Sequence, residues 1–211
     1  MTSTLPVAPE KPASAPPATE LEDLVLDQNT GFNLLLGLWQ KTAKLAANGE
    51  PCQAVTAQGL RCHQARGTWN NIRRYQRPAL LELRLPSGKA YALVTGLRQQ
   101  TVQLAVGDEE HEAPLSQLEP YWFGDFTLLW RPPPTGDTLI NSQSSYASVQ
   151  WLKQSLALAG YVDEDWPLAQ QVQEFQLSQG LKADGIAGPD TLIHLSNSAG
   201  SPGIPRLSLE P

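Results

Sequence analysis

The chain has 211 residues, with 15 Lys and Arg against 21 Asp and Glu, for a formal net charge of -6. That balance leaves no cationic surface of the extent a phosphate backbone requires, so no nucleic acid partner is expected. The length allows one ordinary domain or two small ones, and no apolar stretch approaches the roughly 18 residues of a membrane span.

Residues 1–22 are rich in Pro and Ala and cannot bury enough apolar surface to offset the entropy of ordering them, which predicts a disordered linker. No basic start followed by an apolar run marks a signal peptide. A linker that opens this abruptly is expected to continue upstream to an anchor, which would be the chain's route to a membrane. Over residues 31–47, Phe32, Leu35, Leu36, Trp39, Ala43 and Ala46 recur at helical spacing and predict the principal helix of a first domain, residues 23–131.

Cys52 and Cys62 follow, with nine residues between them and Gly59 in the interval. That spacing permits a loop-closing disulfide in an oxidising compartment, with two unpaired thiols as the alternative. The pair followed by His63 matches no usual zinc spacing, so no metal is expected. From Arg77 the period becomes two: Leu81, Leu83 and Leu85 alternate with Glu82 and Arg84, and Pro86, Ser87 and Gly88 supply a turn. Strands are predicted at Tyr91–Leu97, Thr101–Val106 and Phe126–Arg131, with an acidic turn at Asp108, Glu109 and Glu110. Together these predict an α+β first domain, an antiparallel sheet packed on helices.

Pro132, Pro133 and Pro134 open a polar run that reads as a linker over residues 132–144. Beyond it, Val149, Leu152, Leu156 and Ala159 stripe one helix, closed by Gly160. Leu168, Val172 and Phe175 stripe a second, between Pro167 and Gly180, and a third starts at Pro189 with Leu192 and Leu195 turned to the same core. This second domain spans residues 145–197, leaving 198–211 as a C-terminal tail.

The order Phe175, Gln176, Gly180, Leu181, Asp184, Gly185, Ile186, Gly188, Thr191, Leu195 resembles the three-helix peptidoglycan-binding domain found on wall-associated hydrolases. The resemblance implies a binding surface around Gln176, Asp184, Gly185, Gly188 and Thr191. Members usually carry a first Asp-Gly turn before the second helix; here Tyr161 runs into Val162, Asp163 and Glu164 instead, so half of the internal repeat is missing. The competing reading is that Asp184 and Thr191 only hold the turn and helix start together. A ligand made of sugar hydroxyls, amides and carboxylates calls for an apolar shelf with neutral hydrogen-bonding groups, which adds Gln150, Trp151, Gln154 and Trp166 as candidates. Trp151 lies off the apolar stripe and serves either as a stacking platform or as a contact to the first domain.

In the first domain, the helix, the Cys segment, the Arg-Pro entry into a hairpin and the closing Trp122-Phe-Gly-Asp-Phe-Thr-Leu-Leu-Trp130 are similar to the papain-like domain of bacteriocin-processing C39 cysteine peptidases. Such an enzyme needs a thiolate with an imidazole in reach. The strand that carries the base in those peptidases reads Tyr91-Ala-Leu-Val here. Cys52 stands roughly at the nucleophile's place, with Gln53 where glycine is expected and Cys62 positioned to bridge it. His63, His111 and His194 lie outside the base's motif context, so no catalytic residue and no cofactor is expected.

The combination resembles the periplasmic part of the general secretion pathway protein A family. The resemblance implies a periplasmic, membrane-anchored fragment that binds peptidoglycan, joins general secretion pathway protein B, and helps a type II secretin pass or assemble within the wall. The family's ATPase would lie elsewhere, since no Gly-rich loop ending in Gly-Lys-Ser or Gly-Lys-Thr occurs. Two rival readings are an active peptidase or amidase on wall peptides, and a module that binds protein B without touching glycan, through Trp122, Phe123 and Trp130.

Overall fold

The computed structural model describes residues 20–42, 45, 50–161, 165–198, 200 and 203–209. Residues 1–19 of the predicted linker, Ala43 and Ala46 of the predicted long helix, and Val162–Glu164 of the missing first turn fall outside this set.

The fold is α+β, as the periodicities predict. Asp27 caps helix α1 (Gln28–Leu38) by accepting from the Thr30 backbone N–H. The helix stops short of the predicted 31–47: the N–H groups of Trp39 and Gln40 turn back to Leu36 and Gly37, and Gln40 adopts φ 54°. A left-handed residue cannot continue a right-handed helix. Then come helix α2 (Pro51–Ala57), strand β1 (Arg61–Arg66) and helix α3 (Trp69–Tyr75), which opens with a capping box between Thr68 and Asn71. Strands β2 (Ala79–Leu85), β3 (Gly88–Leu97), β4 (Thr101–Val106) and β5 (Glu109–Pro114), the short helix α4 (Leu115–Leu118) and strand β6 (Trp122–Trp130) complete the first domain.

The strands pair antiparallel in the order β1-β6-β2-β3-β4-β5. The predicted acidic turn is a correction: Glu109 already pairs with Val106, and Glu109 and Glu110 begin strand β5. An edge strand with a solvated face needs no apolar alternation, so its charges concealed it. The same applies to β1 at the opposite edge.

Successive residues of a strand point to opposite faces, and the core divides accordingly. Leu80, Leu93 and Leu129 join Phe32, Leu35, Leu36, Trp39 and Val55 beneath α1 and α2. Leu81, Leu83, Ala92, Val94, Leu128 and Trp130 face the other way, in a cluster that also contains Ile72, Tyr75, Leu152, Leu156, Val172, Phe175, Leu192 and Leu195. The second buried layer therefore runs from the sheet into the terminal helices without a break.

Those helices are α5 (Tyr146–Leu158), α6 (Leu168–Ser178) and α7 (Pro189–Ser198). Two flanking segments pack rather than dangle. Ile140 is fully buried and exchanges two backbone hydrogen bonds of 2.9 Å with Ala187. Leu207 is buried, its N–H bonds to the Gln76 carbonyl at 3.1 Å, and strand β7 (Ser208–Leu209) lies parallel to the end of β3.

Candidate functional site

The turn between α6 and α7 is built around one side chain. Gln176 is 2 % exposed. The two hydrogens of its Nε2 are shared among Asp184 Oδ1 at 3.1 Å, the Ile186 carbonyl at 3.0 Å and Thr191 Oγ1 at 3.0 Å, while its Oε1 accepts from the Gly185 N–H at 2.9 Å. Asp184 Oδ1 also accepts the Ile186 N–H at 3.1 Å, and that bond, followed by the one from Gln176, holds the carboxyl below its ordinary range. Gly185 sits at φ 73°, where a β-carbon would lie 3.0 Å from the Ala169 carbonyl oxygen.

For three residues this corrects the expectation of direct ligand contact. Gln176, Gly185 and Thr191 are buried, and the polar groups that would greet a ligand are bonded to one another. They hold the loop's shape; the surface it presents comes from Asp184, the half-buried Gly188, Lys182 and Ile186.

The candidates on α5 stand in other surroundings. Gln150 and Trp151 are half-buried and Gln154 is exposed. Trp151 lines a groove of about 470 Å³ with Arg131, Pro132, Pro133, Pro134 and Ser196, whereas the turn packs on Ala169 and Gln173. Trp151 thus borders the first domain and keeps one side open to the groove. Trp166 is exposed, and its carbonyl accepts from Gln171 Nε2 at 2.9 Å.

A polar junction unforeseen in the sequence ties the helices to the sheet. Tyr75 on α3 donates to Asp190 Oδ1 at 2.6 Å, and His63 Nε2 on β1 lies 3.0 Å from both that oxygen and the Tyr75 hydroxyl. His63 first, then Tyr75, holds the Asp190 carboxyl below its usual range; burial first, then Asp190, keeps the phenol protonated well above its own. His194 is buried beside the Tyr75 ring, centroids 5.5 Å apart, and burial pushes its imidazole down to about 4. Further along, Asn197 Nδ2 donates to the Tyr75 carbonyl at 2.9 Å and Arg77 Nη2 to Ser196 Oγ at 2.7 Å. Burial, then Arg206 and Arg131, lowers the Arg77 guanidinium to about 9, so it stays charged near neutrality.

The peptidase-like face holds an open cleft of about 500 Å³. Leu26 pairs with Tyr91 through backbone bonds of 2.8 and 2.9 Å, which sets the start of α1 against β3, and Gln28 and Tyr91 both line the cleft with Gln64, Arg66, Glu82 and Asp125. Cys52 does not line it, which corrects its assignment to the nucleophile's place. Its sulfur is bonded to Cys62, S–S 2.11 Å, and no free cysteine is present. The helix N-terminus, where a thiolate would be favoured, carries Gln28. None of the three histidines lines the cleft: His63 and His194 face the junction, and His111 lies 3.5 Å from Glu109. Of the aromatic residues considered for protein contact, Trp130 is buried, Trp122 packs against Trp69 with ring centroids 4.3 Å apart and planes tilted by 48°, and Phe123 is exposed beneath Arg84. Among the described residues no three His, Cys, Asp or Glu side chains are grouped to hold a metal, and no helix is long and apolar enough to cross a membrane.

Residues 145–195 match the family model for a peptidoglycan binding domain, and residues 26–132 match that for the GspA peptidase C39-like domain. The chain belongs to the GspA family. Two curated GspA relatives agree: general secretion pathway protein A of Aeromonas hydrophila is 31% identical over 192 residues, 88% of this chain, and its Escherichia coli (strain K12) counterpart is 27% identical over 210 residues, 94% of this chain. The chain spans only 35% and 42% of the lengths of those two GspA proteins. Among solved structures, a periplasmic domain of the EpsAB fusion protein of the Vibrio vulnificus type II secretion system matches with a TM-score of 0.53 and 26% identity, covering 81% of this GspA chain and 78% of that one.

Proposed function

We propose that this chain is a non-catalytic, periplasmic wall-binding part of a type II secretion accessory protein, holding peptidoglycan through residues 145–197 while the C39-like domain serves as scaffold. One observation carries the reading: a helical unit matching a peptidoglycan binding domain is fastened to a peptidase-like sheet whose cleft presents Gln28 and Tyr91 rather than a thiol and an imidazole. An amide and a phenol that stays protonated cannot perform the thiolate attack and proton return of a cysteine peptidase. Wall attachment would let the protein aid secretin assembly or passage, and anchoring in the inner membrane would follow from sequence outside this chain.

The EpsAB relative supports a second component of the reading, a partnership with general secretion pathway protein B. The exposed Phe123 is available for such a contact.

Incubation with purified wall sacculi tests the proposal. Retention without release of soluble fragments is expected. Release of soluble stem peptides would restore the peptidase or amidase reading, and no retention with capture by protein B would leave the pure interaction module.

A further inference from the structure

The groove at the domain junction carries an unusual charge arrangement. Arg131 is exposed at its rim, and both Arg131 and the buried Arg77 lie over the Trp39 ring, 5.6 and 5.9 Å from its centroid. Arg206 bonds to the Asn197 carbonyl close by. Among the described residues no carboxylate pairs with Arg77, Arg131 or Arg206, and Arg77 Nε has no hydrogen-bond partner although the side chain is 1 % exposed. Three guanidiniums gathered with no carboxylate partner among the described residues raise the local potential and favour an incoming anion.

The remaining walls suit a particular kind of anion. Trp151 supplies an aromatic floor, and Pro132, Pro133 and Pro134 supply a wall whose fixed φ angles leave little to order when a ligand enters. A volume of about 470 Å³ fits a small residue or two rather than a folded partner. A sulfate- or phosphate-sized ion would use the charge and waste the floor. A carboxylate next to small apolar groups uses both.

We propose that this groove, and not the turn around Asp184, receives the free terminal carboxylate of a peptidoglycan stem peptide, with Arg131 pairing to the carboxylate and Trp151 flooring the adjoining apolar atoms. This rests on the wall-binding reading and adds to it a location and a chemical preference: wall strands with uncrosslinked, free-acid stems. Ser196 contributes indirectly, since its hydroxyl already donates to the Ile193 carbonyl and accepts from Arg77.

The test compares a disaccharide-tetrapeptide muropeptide with its C-terminal amide, by calorimetry and by the tryptophan indole N–H signals of the whole chain. The acid form should bind at least about tenfold more tightly, the scale of one charged hydrogen bond. Arg131→Gln should abolish that preference, Arg84→Gln should leave it intact, and Trp151→Leu should weaken acid and amide alike. Circular dichroism checks that each variant is folded. Equal affinity for acid and amide, or an unchanged preference in Arg131→Gln, overturns the groove assignment while sacculus retention keeps the wall reading standing. Loss of both retention and muropeptide binding removes both. A short all-L peptide acid binding as tightly as the muropeptide would make the groove a reader of protein C-termini and overturn the wall ligand.

Discussion

Tyr75 donates its phenolic hydrogen to Asp190 across 2.6 Å, joining residues 115 positions apart, one on the sheet domain and one at the first turn of the last helix. Asp190 also suits the positive end of α7. This bond, the His63 contact and the Asn197 and Arg77 bonds fasten the peptidoglycan-binding helices to the C39-like sheet. A helical unit of about 50 residues is marginal alone, and here its core is completed by Tyr75, Leu128 and Trp130.

The junction makes the fold acid-sensitive. His194 is held neutral in the folded chain, its imidazole lowered to about 4, whereas the unfolded chain takes up the proton near 6.5. Between those values the unfolded state binds more protons, so stability is intact above pH 6.5 and falls as pH drops toward 4. Asp190, also lowered, adds a loss in the same direction at still lower pH. Urea unfolding at pH 7 and pH 4.5 should differ by about 2 kcal/mol from this histidine. His194→Gln should flatten most of that slope; an unchanged slope would remove His194 as its source.

Gly124, within the Trp-Phe-Gly motif of β6, should tolerate no side chain. It sits at φ 94°, and a β-carbon would lie 2.6 Å from the Gly67 backbone oxygen, which cannot swing aside. Gly124→Ala is expected to cost roughly 2–3 kcal/mol. Gly180→Ala should cost about 1 kcal/mol, because the atom in the way is the mobile end of Arg74. Thermal melts of the two variants give the order directly, and a milder effect at Gly124 would contradict the packing described.

The Cys52–Cys62 bond closes a loop of ten residues' separation between α2 and β1. Removing it as the double Ala variant should cost about 2–3 kcal/mol. Iodoacetamide should label nothing in the native oxidised protein and both sulfurs after reduction and unfolding. Labelling of untreated native protein would show a thiol that the disulfide forbids.

How much of this was legible beforehand depended on whether each signal was local. The three terminal helices, the β2–β3 hairpin and the family of each domain could be read because apolar period, Gly and Pro punctuation and motif order are properties of short stretches. Strands β1 and β5 could not: at the two sheet edges, Arg61–Arg66 and Glu109–Pro114 are mostly polar and show no apolar alternation. The cleft was misplaced for a related reason. It takes the Leu26–Tyr91 pairing to bring Gln28, not Cys52, to the cleft that Tyr91 lines, and a bridge across 65 positions leaves no mark on either segment. Likewise the Tyr75, Asp190 and His194 junction joins residues with no common motif. At Gln176 the motif was seen and its role misread, since family resemblance marks a required residue without saying whether it faces ligand or core.

Gln176 therefore provides the sharpest check on what the turn is for. Its amide has four hydrogen-bond partners, Asp184, Ile186, Thr191 and Gly185, all within the loop and the start of α7. Gln176→Ala removes these bonds together and leaves the Gly185 N–H and the Thr191 hydroxyl buried without that partner, at about 1–3 kcal/mol for each group so stranded. A loss of roughly 3 kcal/mol or more is expected, with amide exchange accelerated in α6 and α7 before the sheet. Wall retention should fall in step with that local unfolding and recover when the folded population is restored by cooling or an osmolyte. A variant that keeps native exchange protection yet releases the wall would show instead that Gln176 touches the ligand.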